Sequence, residues 1–238
     1  MQLEVYQTDA EAYEAAAEIA AGHLVAAAAT GAATLALGGG RGARAVQLAL
    51  AARGEIAWAR VTCCFTDERC TTADDAHANL KVARDSLFAP RGVAADRILA
   101  VPVGAGDAVA IAAAYATTLA SLGTPPVFDV LLLDLADDGS IAALASGSPA
   151  IHAETTVAAV PNAVPPRITI TPVVLRAARH IVLTATGDER AVAVAAALRE
   201  PVDIDRRPAQ LVLPSPTVTW VVDRAAAAAL LRDARPAQ

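Results

Sequence analysis

A chain of 238 residues with a formal charge of −6 is long enough to bury a full core, and its acidic balance gives no basic field for nucleic acid, although single arginines still suit a small anion. Apolar residues make up 55% of it, much of that alanine, and the longest uncharged stretch, 108–128, is broken by "SLGTPP", so no segment reads as a membrane span. The opening "MQLEVYQTDAEAYEAAAEIAAGH" shows no basic leader before an apolar block, which sets the expectation of a cytoplasmic protein.

In chain order, strand-like runs are expected at residues 3–6, 34–37, 61–65, 98–101, 127–133, 167–171, 180–185 and 217–222. Thr8 and Glu11 form a capping-box pattern that opens the first helix. Alanine-rich helical stretches separate most of the runs, and this β-α alternation predicts an α/β fold: a doubly wound, mainly parallel sheet flanked by helices, in one domain spanning 1–238. The segment 146–166 is rich in turn formers and reads as an excursion, because the pattern resumes directly after it.

Ligand sites in such sheets lie beyond the carboxyl ends of the strands, which directs attention to four polar segments. The first, "GGGRGAR" (38–44), precedes the helical "AVQLALAAR"; its glycines let backbone N–H groups approach an anion where the helix dipole favours negative charge. It lacks the Lys-Ser/Thr of a P-loop, and Ala43 stands where a dinucleotide fingerprint would need its third glycine. The second, "TDERCTTADDAHANL" (66–80), sets Asp67, Glu68 and Arg69 at a strand end, where a carboxylate beside a guanidinium binds hydroxyls or steers a proton. A surface ion pair is the competing explanation. In the third, the apolar run "VLLLD" gives way to "LADDGS", with Asp138 and Gly139 before Ser140; a solvated turn with a helix N-cap competes here. In the fourth, Arg167 opens "RITITP", and Arg190 of "TGDERAVAV" falls in the first turn of a helix, where a cation opposes the dipole unless an anion faces it.

The three cysteines, Cys63, Cys64 and Cys70, form no spaced framework, and no partnering histidine or second cysteine pair makes a zinc pattern. Of the four histidines, only His77 lies in one of these loops.

The four segments in this order resemble the 6-phosphogluconolactonase family, within the wider group that includes the glucosamine-6-phosphate isomerases (deaminases). The resemblance rests on "LALGGGRGARAV", on "DERC" with the downstream Asn79, on "FDVLLLDLADDGSIAALASGSPA", on "RITIT" and on "TGDERAVAV". It implies a single α/β domain that acts on a phosphorylated sugar lactone without metal or cofactor, with monomer and homodimer both left open. Residue by residue, it implies that Gly39 and Gly40 hold the substrate phosphate with Arg167 and Arg190, the latter standing where the family commonly has lysine. Asp67 and Arg69 would line the sugar side, Gly139 would shape the third loop, and Asn79 would fasten the second.

Two departures matter. The family's phosphate loop reads Gly-Gly-Ser-Thr-Pro, whereas Gly40 is followed by Arg41, Gly42 and Ala43, so Arg41 is expected to replace lost hydroxyls with charge. The third loop of the family reads Gly-Met-Gly-x-Asp-Gly-His-Thr, and its histidine activates water. Ser140 occupies that position, with Asp134 and Ala136 in place of the flanking glycines. A serine hydroxyl accepts no proton usefully at neutral pH without a base of its own, which leaves Asp138 or Asp67 as the substitute. Three readings follow: hydrolysis of 6-phosphogluconolactone, a catalytically silent relative that binds a phosphosugar or a protein, and, less favoured, a sugar-phosphate isomerase or deaminase.

Overall fold

The computed structural model describes residues 1–233; the last five residues of the expected 1–238 unit lie outside them. The chain runs β1 (Gln2–Tyr6), α1 (Asp9–Thr30), β2 (Ala33–Leu37), α2 (Gly40–Ala52), β3 (Val61–Phe65), β4 (Asp67–Arg69) and α3 (Asn79–Ala83). A π-helical turn at Arg84–Phe88 joins α3 to the short α4 (Ala89–Arg91), which leads to α5 (Ala108–Leu119) and β5 (Val130–Asp134). The remainder is β6 (Val157–Val160), β7 (Arg167–Ile170), α6 (Pro172–Ala177), β8 (Ile181–Ala185), α7 (Ala191–Arg199), β9 (Val218–Asp223) and α8 (Ala228–Asp233).

Six strands form a parallel sheet in the order β1-β9-β8-β5-β2-β3. Its inner strands are mainly apolar, as a sheet covered on both faces requires. Cys63 and Cys64 point to opposite faces and both are buried for that reason. Helix α1 opens with the expected capping box, in which Thr8 Oγ1 accepts from Glu11 N and Glu11 Oε2 accepts from Thr8 N. Its buried face is Ala12, Ala16, Ala17, Ala20, Ala21 and Leu24, and these small side chains let it lie closely on β8 and β9. Among the described residues no helix is long and apolar enough to cross a membrane.

From β2 the chain moves outward to β3, whereas from β5 it moves the other way through β8 and β9. The loops that leave β2 and β5 therefore part at the topological switch point, the place where such sheets bind ligands.

Beside the parallel sheet stands a small antiparallel one, β4-β7-β6, which sequence patterning did not anticipate. Thr66 alone separates β3 from β4, and its carbonyl accepts from Ile170 N at 2.8 Å, so the chain passes from one sheet to the other at one residue. The "DER" expected in a loop is thus strand β4, and part of the 146–166 excursion is strand β6. The run at 167–171 is a strand, but of this second sheet. The run at 98–101 is not: Ile98 makes one bridge to Cys63 before Pro102 ends the pairing.

Candidate functional site

At the carboxyl end of β2 the glycine segment is shorter than the sequence suggests, because α2 already begins at Gly40 and puts Arg41 and Gly42 in its first turn. A Cβ on Gly39 would stand 1.9 Å from Asn79 Oδ1, so only glycine allows the second loop to close onto the first. Asn79 Nδ2 donates to the Asp67 carbonyl at 2.7 Å, and its Oδ1 accepts from Arg69 Nη1 at 3.0 Å. Asn79 thereby ties the start of α3 to β4.

The clasp itself is Glu68, which sequence reasoning left without a role. Its carboxylate accepts from the backbone N–H groups of Arg69, Asn79 and Leu80 at 2.8, 2.8 and 2.9 Å. Burial raises its pKa, while those three donors oppose the rise. Asp67 is also buried, pairs with Arg167, and accepts from Thr66 Oγ1 at 3.1 Å. Strand pairing sets this up, since β4 and β7 place Asp67 opposite Thr169 and Arg69 opposite Arg167.

Asp134 is the last residue of β5 rather than the first of its loop. Its Oδ1 accepts from Thr184 Oγ1 at 2.9 Å, and its Oδ2 lies 3.9 Å from Arg190 Nη2. Burial pushes its pKa up to about 6, against the pull of Arg190 and Thr184. Arg190 donates from Nε to the Leu135 carbonyl at 2.6 Å and from Nη1 to the Thr186 carbonyl at 2.7 Å. It is the residue that caps α7 rather than one inside its first turn, and these carbonyls explain why a cation is tolerated there. Glu189 Oε1 bridges Arg190 and Arg41, at 2.7 Å from each. Arg41 reaches this site from the first turn of α2, and Tyr13 closes it from α1 through a 2.5 Å hydrogen bond with Thr186.

The third loop is a tight turn in which Ala136 N donates to the Ser140 carbonyl and Gly139 N to the Ala136 carbonyl, both at 3.0 Å. Asp138 is exposed, and its Oδ1 accepts from Ser140 N at 2.9 Å. Among the described residues nothing hydrogen-bonds to the Ser140 hydroxyl, so it carries no general base. The loop is anchored by Arg190 at Leu135 and by Thr169 Oγ1, which accepts from Ala143 N at 3.3 Å.

These contacts join the four segments around the switch point: Asn79 lies against Gly39, Asp134 lies beneath Gly42, and Arg190 bonds to Leu135. Histidines stay apart. His77 contributes only its backbone to Arg69 and Asp75, His152 pairs with Asp205, and His23 stacks on His180 at the amino end of β8. A hint of the Asp134 arrangement was present in the sequence, as a charge ending an otherwise apolar run. Thr184 gave none, because a threonine inside "IVLTA" is ordinary strand composition.

Residues 7–220 match the family model described as glucosamine-6-phosphate isomerases/6-phosphogluconolactonase. The chain is 35% identical to a 6-phosphogluconolactonase of Streptomyces coelicolor over 94% of both chains. It is 35% identical to that of Mycobacterium tuberculosis, over 81% of this chain and 83% of the other. Among solved structures, the 6-phosphogluconolactonase from Trypanosoma cruzi superposes with a TM-score of 0.84 at 26% identity, covering 96% of each.

Proposed function

This chain belongs to the glucosamine-6-phosphate isomerase/6-phosphogluconolactonase family, and from that premise we propose that it is a hydrolase that opens 6-phosphogluconolactone to 6-phosphogluconate, acting as a single lactonase-like domain. One observation carries the reading: the clasp of Asp67, Glu68, Arg69 and Asn79 is built complete and closes on Gly39 at the switch point. A surface turn would not bury two carboxylates and an amide to fix such a shape.

Water attacks the lactone carbonyl, the bond from that carbon to the ring oxygen breaks, and the ring oxygen leaves with a proton as the carboxylate forms. Arg190 and Arg41, with the N–H groups at the start of α2, hold the phosphate. Asp67 and Arg69 receive the sugar hydroxyls and the carbonyl end, and Arg167, which the resemblance placed at the phosphate, stands behind them because it pairs with Asp67. Asp138 is the base. Asp67 already gives both its oxygens to Arg167 and Thr66, whereas Asp138 is exposed and has only Oδ1 engaged. Ser140 takes the place of the family's histidine and positions Asp138 through its backbone N–H.

A second reading, a silent phosphosugar-binding relative, draws on a separate observation: Arg41, Arg167 and Arg190 all have carboxylate partners within the protein. Lactone hydrolysis followed against spontaneous opening decides between them. Turnover above the uncatalysed rate that Asp138→Asn abolishes supports the enzyme, and phosphosugar binding with no excess rate supports the silent relative.

A further inference from the structure

The charges around the start of α2 balance before any substrate arrives. Arg41 and Arg190 supply two positive charges, and Asp134 and Glu189 supply two negative ones. Four neighbouring segments contribute to this arrangement. Thr184 comes from β8, Arg190 and Glu189 from the turn before α7, Arg41 from α2, and the Tyr13 hydroxyl from α1. The carboxylate lies directly beneath the helix start: a Cβ on Gly42 would be 2.6 Å from Oδ1, and one on Gly40 would be 3.9 Å from Oδ2. Only 14% of its side chain is exposed, so solvent screens it weakly from whatever binds there.

We propose that Asp134 couples phosphate binding to proton uptake: its carboxylate pairs with Arg190 in the open site, and it takes one proton from solvent when a phosphate monoester dianion claims Arg190. This rests on the phosphate assignment made above. Without the proton, a dianion would enter beside two carboxylates, one of them buried. With it, Asp134 becomes neutral and its Oδ2 turns from an acceptor that repels the ligand into a hydroxyl that donates to it. Oδ1 keeps its bond from Thr184 in both states. The burial that holds this carboxyl near neutrality leaves it ready for the change. The site is thereby tuned to phosphate esters under mildly acidic to neutral conditions and loses affinity in base.

Calorimetric titration of 6-phosphogluconate in two buffers of different ionisation enthalpy reads the coupling directly, above the pH at which the ligand's own phosphate has lost its second proton. The wild type is expected to take up close to one proton per ligand, and its affinity to fall by up to about tenfold per pH unit. Asp134→Asn and Asp134→Gly should take up almost none and bind independently of pH; the glycine variant guards against a local effect of the amide. Wild-type binding without proton uptake, or equal uptake in both variants, overturns the proposal. Catalysed lactone hydrolysis by a protein whose binding of 6-phosphogluconate takes up no proton overturns it while leaving the lactonase reading standing. No binding and no hydrolysis at any pH removes both.

Discussion

The carboxylate of Asp134 fills the space that a side chain on Gly42 would need: an ideal Cβ there would lie 2.6 to 2.8 Å from three atoms of the carboxyl group. Elsewhere in a helix Gly→Ala gains about 1 kcal/mol. Here the sign reverses. Gly42→Ala should destabilise by about 1–3 kcal/mol, as overpacking does, and the loss should shrink in the Asp134→Gly background. Urea midpoints of the two single variants and the double variant check this, because independent sites would give additive changes.

The same carboxyl sets a pH dependence of folding. Its ordinary value is 3.8 and the folded protein raises it to about 6, so between these values the folded state binds the proton more tightly than the unfolded state. Stability from this group is therefore full below the unfolded value and is lost as pH rises through the folded one. A shift of this size corresponds to about 3 kcal/mol. Asp134→Asn mimics the protonated form, so it should match the wild type in acid and exceed it by up to about 3 kcal/mol at neutral pH. Denaturant unfolding across that range would show equal curves at all pH values if the carboxyl were not held by burial.

How far these arrangements were legible in the sequence depends on the reach of the interaction. The parallel sheet and the capping box at Thr8 follow from local patterning, because apolar runs and i to i+3 spacing are carried by neighbouring residues. The second sheet was hidden. Strand β4 is three residues long and polar, so its strand character comes from pairing with β7, a hundred residues away. Glu68 reads as one more acidic loop residue until α3 supplies the N–H groups it caps. The cations were visible as candidates, but their internal partners were not, since Glu189 joins Arg41 to Arg190 only in the folded chain.

Arg190 should control phosphosugar affinity. It reaches Asp134, Glu189 and two backbone carbonyls, so truncation to Ala removes both a charge-assisted contact and an anchor of the third loop. A single such contact is worth roughly 1.5–3 kcal/mol, and Arg190→Ala should weaken 6-phosphogluconate binding by about tenfold or more. Arg190→Lys keeps the charge without the fork and should recover part of it. Calorimetry that finds all three proteins equal would place the phosphate elsewhere.

The His23–His180 stack predicts an acid-side loss of stability that is separate from the site. The rings lie 3.5 Å apart and nearly parallel. Burial lowers both pKa values, and mutual repulsion lowers that of His23 further. For His180 the Asp129 carboxylate pulls the other way and Arg179 adds to the lowering. With folded values below the ordinary 6.5, the unfolded chain binds more protons as pH falls past that point, so stability is full above it and declines below it. His180→Gln should flatten the decline in melting temperature measured through this range; an unchanged slope would show that the pair does not titrate on unfolding.

Ser140 and Asp138 divide the enzyme from a silent relative. Among the described residues the Ser140 hydroxyl has no base, and its backbone N–H is what holds Asp138. Replacing a serine side chain should therefore leave the Asp138 turn in place, and Ser140→Ala is expected to keep most of the rate. Asp138→Asn preserves the shape and the acceptor for Ser140 N but cannot take a proton, so it should lower kcat by about 10²–10⁴ with little change in KM. On the proposed reading, Ser140→His then supplies the base that the resemblance places at this position. In the Asp138→Asn background it should restore turnover by a large part of that factor, because imidazole accepts a proton near neutral pH without help from the carboxylate. Asp67→Asn would behave differently: it strips a carboxylate from Arg167 in a buried pair, and its losses should appear in stability as well as in rate. A full rate in Asp138→Asn would move the base to another residue, and a fall in Ser140→Ala equal to that in Asp138→Asn would return the hydroxyl to the reaction.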